Sequence, residues 1–315
     1  MNGALIIDKP PGKTSHDVVR EVKKIVGAKK AGHTGTLDPM ATGVLTVCLN
    51  EATKLAGFLA AEEKEYLATM LMGVKTDTLD SSGKIIAESD KVLPEREIRL
   101  ALAQMAGKIK QSPPAYSAVK YRGKPLYKWA RSGIFPESPL RDAEIFNIAV
   151  DNISWPRVTF RVTCSKGTYI RALCSDIGEK LGCGACLSDL RRLRSGFFSE
   201  EMAVSLTNGR ATNDKRMSKK TEFLEKILPM EKLLPLAKVI EVDDNFVIKL
   251  RQGIQPTAEM MKRHVVPFLT PGDMIKFINN EGKLVALAQF TAGPETFAQS
   301  DEKTPAAKIV RVFSN

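Results

Sequence analysis

The chain has 315 residues, 43% hydrophobic and 26% charged, which is ample for a buried core and unlike a disordered or fibrous protein. No run of about 18 apolar residues is present, which excludes a transmembrane helix, and the start "MNGALIIDKPPGKTS" lacks the basic leader and long apolar run of a signal peptide. Lys and Arg number 47 against 36 acidic residues, a net of +11 of which residues 231–315 carry only +1; the basic first part points to a polyanionic partner, with solubility alone as the bland alternative.

Five cysteines in a chain without a secretion signal indicate reduced thiols and a cytoplasmic location. The Cys183-x-x-Cys186 pair lacks the two further ligands of a tetrahedral zinc site. His16, His33 and His264 lie far from it in sequence, so no metal is expected. Neither a Walker-type loop nor a dinucleotide fingerprint is present, and no cofactor is indicated.

Taken in chain order, Ala4 to Ile7 read as a short strand ending in a Pro-Pro-Gly turn. Thr14 and Asp17 have capping-box spacing, and Val18, Val19, Val22 and Val26 follow at helical spacing. "GVLTVCLN" (43–50) is a buried-strand candidate, "EATKLAGFLAAEEKEY" (51–66) looks helical, and "YLATMLMGV" (66–74) alternates as a strand does. "TDTLDSSGKII" (76–86) supplies a turn before another strand, and "PEREIRLALAQMAGKI" (94–109) is an amphipathic helix. Residues 143–169 give two or three strands, with Asp151-Asn152 as a turn between them. "YIRALCSDIGEKLG" (169–182) is a helix stopped by Gly182.

Residues 207–228 are polar and charged at first, then helical, and read as a connector. Short strands follow, with a hairpin around Asn280-Glu281-Gly282 and a terminal strand in "AAKIVRVF" (306–313). Strands and helices mix without regular βαβ alternation. The expected fold is therefore α+β, a mixed and largely antiparallel sheet with flanking helices over 1–235 and a small β-rich module over 236–315.

The stretch "AGHTGTLDPMATGVL" (31–45) isolates Asp38 among three glycines, three threonines and His33. Asp-Pro is a favoured N-cap and N1 pair, so a structural role competes with a chemical one. The glycines admit close backbone approach to a ligand. Cationic neighbours are few in sequence, so a counter-ion for Asp38 has to come from elsewhere in the fold. Tyr66, taken alone, reads as a core tyrosine at a strand start.

"QSPPAYSAVKYRGKPLYKWAR" (111–131) interleaves aromatics with Lys120, Arg122, Lys124, Lys128 and Arg131. That pattern suits base stacking and phosphate contact as well as it suits a basic, solvated loop and helix. Arg171 lies two residues after Tyr169 at a strand-to-helix junction, where side chains often point into a cleft. In "LSDLRRLRSGFF" (187–198) an amphipathic segment explains the leucines, and an RNA-facing edge explains Arg191, Arg192 and Arg194.

"GHTGTLDPMATGVL", "KEYLATMLMGVKTDTLDSSG", "QSPPAYSAVKYRGKPLYKWAR", "KGTYIRALCSDIG" and "LSDLRRLRSGFF" occur in this order and span nearly all of residues 3–200. Together they resemble the bacterial-type tRNA pseudouridine-55 synthases, the TruB family. The tail, with "GDMIKFINNEGKLVALAQF" and "KIVRVF", is similar more weakly to that family's C-terminal PUA-type RNA-binding module.

The resemblance implies the pseudouridine-synthase fold, isomerisation of the uridine at position 55 in the T-loop of tRNA, and the T-arm stem-loop as partner. By motif position it implies Asp38 as the catalytic carboxylate, Tyr66 as the residue stacked on the flipped base, and Arg171 as the charge partner of Asp38. Tyr169 would neighbour the pocket, Leu190 would form part of its wall, His33 would lie against the RNA, and Asp80 would be a further RNA or pocket contact. Lys120, Lys124, Arg131, Arg191 and Arg194 are the expected RNA-binding basic surface. A monomer is expected, because the RNA supplies the extended partner surface.

One departure stands out: the family pattern "GCGAH" reads "GCGAC" here, so Cys186 replaces a histidine.

Such a reaction breaks an N-glycosidic bond, turns the uracil and re-forms the link through carbon 5. Glycosidases use two carboxylates, but uracil can leave as a delocalised anion, so one can suffice. The target base must be flipped from its stack, and a guanidinium beside Asp38 would lower its pKa. A binding-only alternative, an RNA chaperone acting without catalysis, fits the same basic surface.

Overall fold

The helix expected after the Pro-Pro-Gly turn spans Ser15–Val26 in a computed structural model, which describes residues 1–206, 213–293, 297 and 304–314, with backbone alone over 213–218. The Thr14 hydroxyl accepts from the Asp17 N–H at 3.1 Å, and the Asp17 carboxylate accepts from the Thr14 N–H at 3.1 Å, closing the capping box. Val18, Val19, Val22 and Val26 are buried, and Gly27 ends the helix at φ 72°.

The helix packs on a mixed sheet of eleven strands among the described residues. Its main path runs Val204–Ser205, Gly3–Lys9, Thr42–Leu49, Ala185–Ser195, Lys64–Met72, Arg157–Cys164, Arg141–Ser154 and Gly107–Gln111. Along that path Val204–Ser205 is parallel to Gly3–Lys9, and Thr42–Leu49 is parallel to Ala185–Ser195; the other pairs are antiparallel.

Gly3–Lys9 and Thr42–Leu49 are largely apolar because both of their faces are covered. Leu5, Ile7, Leu45 and Val47 join the core beneath helices Ser15–Val26, Glu95–Ala103 and Ile170–Leu181. Their neighbours Ala4, Ile6, Val44 and Cys48 point to the opposite side, where Leu284, Leu287 and Phe313 meet them.

Leu284 and Leu287 belong to a second sheet, Lys238–Glu241, Met274–Ile278, Leu284–Phe290 and Ala307–Val312, and Phe313 directly follows its last strand. Phe246, Leu250, Met261, Phe277 and Phe290 form its own core with helices Asp244–Arg251 and Ala258–Lys262. The expected hairpin turns at Gly282, which takes a left-handed φ of 72°. No helix among the described residues is long and apolar enough to cross a membrane.

Three local expectations change. The strand Arg141–Ser154 runs straight through Asp151-Asn152, and the chain turns at Trp155-Pro156 instead. A register shift between Val150 and Asn152 absorbs the extra residue, and the Asp151 carboxylate accepts from Arg161 Nε at 3.0 Å. The helical reading of 51–66 shrinks to a 3-10 turn, Asn50–Leu55, and a short helix, Ala56–Ala60, before the strand Lys64–Met72 begins. The helix expected over 94–109 ends at Ala103, and Gly107–Gln111 becomes a strand. Of the connector, 207–212 lies outside the described residues, and Asn213–Glu225 is a helix with Phe223 in the core.

Candidate active site

Asp38 lies on residues 34–41, an irregular segment between the strands Ala31–His33 and Thr42–Leu49. No helix starts at Asp38-Pro39. Its backbone carbonyl closes a turn by accepting from the Ala41 N–H at 3.1 Å, which leaves the carboxylate free of capping duty. Gly43 is required by protein packing here, not by a ligand: φ is +96°, and an added Cβ would lie 2.2 Å from the Arg192 carbonyl oxygen.

The missing counter-ion arrives 133 residues later in the chain. Arg171, in the first turn of helix Ile170–Leu181, places Nε 2.9 Å from Asp38 Oδ2 and donates from Nη2 to Oδ1 at 3.1 Å. The Nε contact is ionic, since its N–H is misaligned for a hydrogen bond. The rest of the guanidinium donates to the carbonyls of Thr78 and Tyr116, each at 3.0 Å.

Nη1 also lies 3.6 Å from Asp80 Oδ2. Asp80 is buried and accepts from the Thr78 hydroxyl at 2.8 Å and the Ser82 N–H at 3.1 Å. Two carboxylates therefore share one buried cation. The side chain of Asp38 keeps 30% of its surface open, against 5% for Arg171 and 7% for Asp80, so of the three Asp38 is the one a substrate can reach.

The electrostatics differ from the simple expectation. Burial pushes the Asp38 carboxyl above its usual range and the Asp80 charge adds to that, while Arg171 and then Lys9 pull it down; burial wins.

Tyr66 and Leu190 sit on the neighbouring strands Lys64–Met72 and Ala185–Ser195, each 8% exposed and in one apolar cluster with Leu37. Burial raises the Tyr66 phenol pKa. Strand register puts Arg192 directly opposite Tyr66 on one side and Gly43 on the other. His33 is half-buried with Nδ1 unpartnered, and burial, then the Arg192 charge, lowers its pKa. Tyr169 precedes the helix of Arg171, and buried Gln111 grips its backbone, accepting from its N–H at 3.0 Å and donating to its carbonyl at 3.2 Å. The structure thus gathers Asp38, Arg171 and Asp80 directly, with Tyr169 two residues before Arg171 in the chain.

The basic residues divide. Lys124 stacks over the Trp129 ring at 4.3 Å and Arg131 over Tyr127 at 5.6 Å, on the hairpin and short helix of 120–130, while Lys120 is exposed beside them. Arg191 is ion-paired with Asp8 and Glu200, and Arg194 with Glu63 and Glu65, so part of their charge is neutralised within the fold. Cys186 is fully buried and so is Cys174, which places the replaced histidine position in the interior.

Sequence reasoning missed Lys9 and Gln111, and it read Arg192 as RNA-facing although that residue is only 2% exposed. Lys9 is fully buried, donating from Nζ to the carbonyls of Ala41 at 2.6 Å, Pro39 at 3.1 Å and Pro10 at 3.0 Å, and burial brings its pKa down to about 8. Arg192 donates to the carbonyls of Val44 at 2.7 Å and Gly35 at 3.1 Å. Had 187–195 been read as a strand, period-two alternation would have put Arg192 on the face of Leu190.

Two family models cover this chain: the N-terminal domain of the TruB family pseudouridylate synthases over residues 23–170, and the C-terminal domain of tRNA pseudouridylate synthase B over residues 171–235. The chain belongs to the TruB family. A tRNA pseudouridine synthase B from Syntrophus aciditrophicus is 48% identical over 99% of both chains, and one from Geobacter sulfurreducens is 38% identical over the full length of both. Among solved structures, a chain in a Cbf5-Nop10-Gar1 complex superposes with a TM-score of 0.74 at 32% identity, covering 99% of this chain and 85% of that one. The TruB-family chain is therefore a tRNA pseudouridine synthase, an isomerase, with the α+β fold of that class.

Proposed function

We infer that this synthase isomerises the uridine at position 55 in the T-loop of tRNA, with Asp38 as the reacting carboxylate. The observation that carries this reading is the grip of buried Arg171 on both oxygens of a carboxylate that stays open on its remaining side. In the ionised form Asp38 is oriented by the guanidinium, and it attacks the sugar, adds to the base or removes a sugar proton. Uracil leaves as a delocalised anion, turns, and bonds again through carbon 5, with the carbon-5 hydrogen lost as a proton.

Tyr66, in this reading, stacks on the flipped base, and Leu190 and Tyr169 wall the pocket, offsetting the stacking lost from the RNA. Asp80 and the Thr78 carbonyl hold Arg171 in place. His33 lies against the RNA, and Lys120, Lys124 and Arg131 contact its phosphates, with Arg191 and Arg194 contributing less because carboxylates already engage them. Residues 1–235 form the catalytic domain and 236–315 a PUA-type RNA-binding module, a division supported by the separate sheet and core of the latter.

Carbodiimide adduct mapping by reverse transcription, on unmodified tRNA treated with the enzyme, tests the position. A stop one nucleotide 3′ of position 55, absent with T-loop uridine replaced by cytidine, is expected. Stops elsewhere, or none while the RNA stays bound, would overturn the site assignment, the second outcome favouring a chaperone.

A further inference from the structure

The segment that carries Asp38 has no ladder or helix to satisfy its backbone, and besides a few backbone bonds, buried side chains from three other elements satisfy it. Arg192, 2% exposed, ties Gly35 and Val44, and Lys9, 0% exposed, ties Pro39 and Ala41. Next to the carboxylate the tie is Ser15, the first residue of helix Ser15–Val26 and 2% exposed. Its hydroxyl accepts from the Leu37 N–H at 2.8 Å and donates to the Leu37 carbonyl at 3.0 Å, so it holds both polar groups of the residue before Asp38.

We propose that Ser15 is a positioning residue for Asp38: its paired hydrogen bonds to Leu37 fix the carboxylate at the distance where Arg171 and the flipped nucleotide meet it. This rests on Asp38 being the reacting group. Leu37 is 3% exposed, so without the hydroxyl its N–H and carbonyl are left unpaired in the interior, and the peptide leading into Asp38 is driven to move toward other partners. Lys9 and Arg192 each bring a charge to the site as well, whereas Ser15 brings position alone.

The test compares Ser15→Ala, Ser15→Cys, Val22→Ala and Asp38→Asn in the full chain, acting on an unmodified T-arm transcript. Val22 is buried on the same helix and touches nothing in the Asp38 segment's hydrogen bonding. For Ser15→Ala, kcat is expected to fall on the order of 10- to 100-fold, with KM for RNA within about twofold. The acid limb of its pH–rate profile should move to higher pH, since a carboxylate drifting from Arg171 loses that lowering influence.

Val22→Ala should lower the melting temperature and keep the wild-type kcat and acid limb. Ser15→Cys, nearly the same shape with a weaker donor and acceptor, should fall between wild type and Ser15→Ala, and it decides the matter if Ser15→Ala does not fold. Wild-type kcat and an unmoved limb in the folded Ser15 variants would overturn the proposal, as would the same losses in Val22→Ala. Turnover by Asp38→Asn would instead sink the reading of Asp38, which keeps the two failures distinct.

Discussion

Arg171 meets Asp38 at both carboxylate oxygens, Nε 2.9 Å from Oδ2 and Nη2 3.1 Å from Oδ1, across 133 residues of sequence. Geometry of this kind is specific to a planar guanidinium, and an ammonium in its place makes a point contact. Arg171→Lys is expected to keep the fold and lose on the order of 100-fold in kcat, the scale of a misplaced reacting group. Arg171→Leu leaves Asp38 and Asp80 without their shared cation and should destabilise by about 3 kcal/mol, read from urea denaturation. A lysine variant with full activity would show that charge alone suffices.

The pH dependence follows from which effects win at Asp38. Its carboxyl sits above the ordinary value of 3.8 through burial first and the Asp80 charge second, against the pull of Arg171 and Lys9. With ionised Asp38 as the proposed reactive form, kcat/KM should fall as pH drops through that raised value, earlier than for an ordinary aspartate. Asp80→Asn removes a like charge and should shift the acid limb to lower pH; Arg171→Lys, with a looser contact, should shift it upward. A limb moving upward in Asp80→Asn would reverse the assignment of Asp80 as a repelling neighbour.

All five cysteines are free and buried, Cys48 with its thiol pushed up to about 12 and Cys164 to about 11 by burial. Thiolate reagents need an exposed, ionised sulfur. The native enzyme should therefore react slowly with a disulfide reagent near pH 8 and keep its activity, while the unfolded chain releases five equivalents. Cys186→His would force a larger, polar ring into a fully buried site and is expected to cost about 1–3 kcal/mol. Rapid labelling of native enzyme with loss of activity would contradict this burial.

Much of the architecture was legible where one period dominates. The capping box at Thr14, the valine stripe, the strand at 43–50 and the hairpin at 280–282 each rest on local rules. Asp151-Asn152 misled because turn residues also suit a bulge, and the tertiary ladder of Arg157–Cys164 decided between them.

At the site, motif order pointed to Asp38, Arg171 and Tyr66, since those residues lie within readable stretches. Lys9, Ser15 and Gln111 stayed hidden, and Arg192 read as RNA-facing, for a different reason. Their function is to satisfy backbone groups of distant segments, and nothing in local spacing reports a hydrogen bond made 22, 58 or 157 residues away. The net upward shift of Asp38 was equally invisible, because burial by the whole fold outweighs the one cation that the motifs supply.

Asp38 itself gives the most direct test. Pseudouridine formation must expel the carbon-5 hydrogen, so tritium release from a T-arm transcript labelled there counts turnovers one by one. A folded site that raises the carboxyl's pKa favours the neutral form: Asp38 stabilises fully below its unfolded value, and that stability is lost as pH rises through the folded value. Asp38→Asn should thus fold as stably as wild type at pH 7, or more so, and bind the RNA. Tritium release by wild type with none above background from this variant is the predicted result. Release by Asp38→Asn at a rate near wild type would contradict the account at its centre.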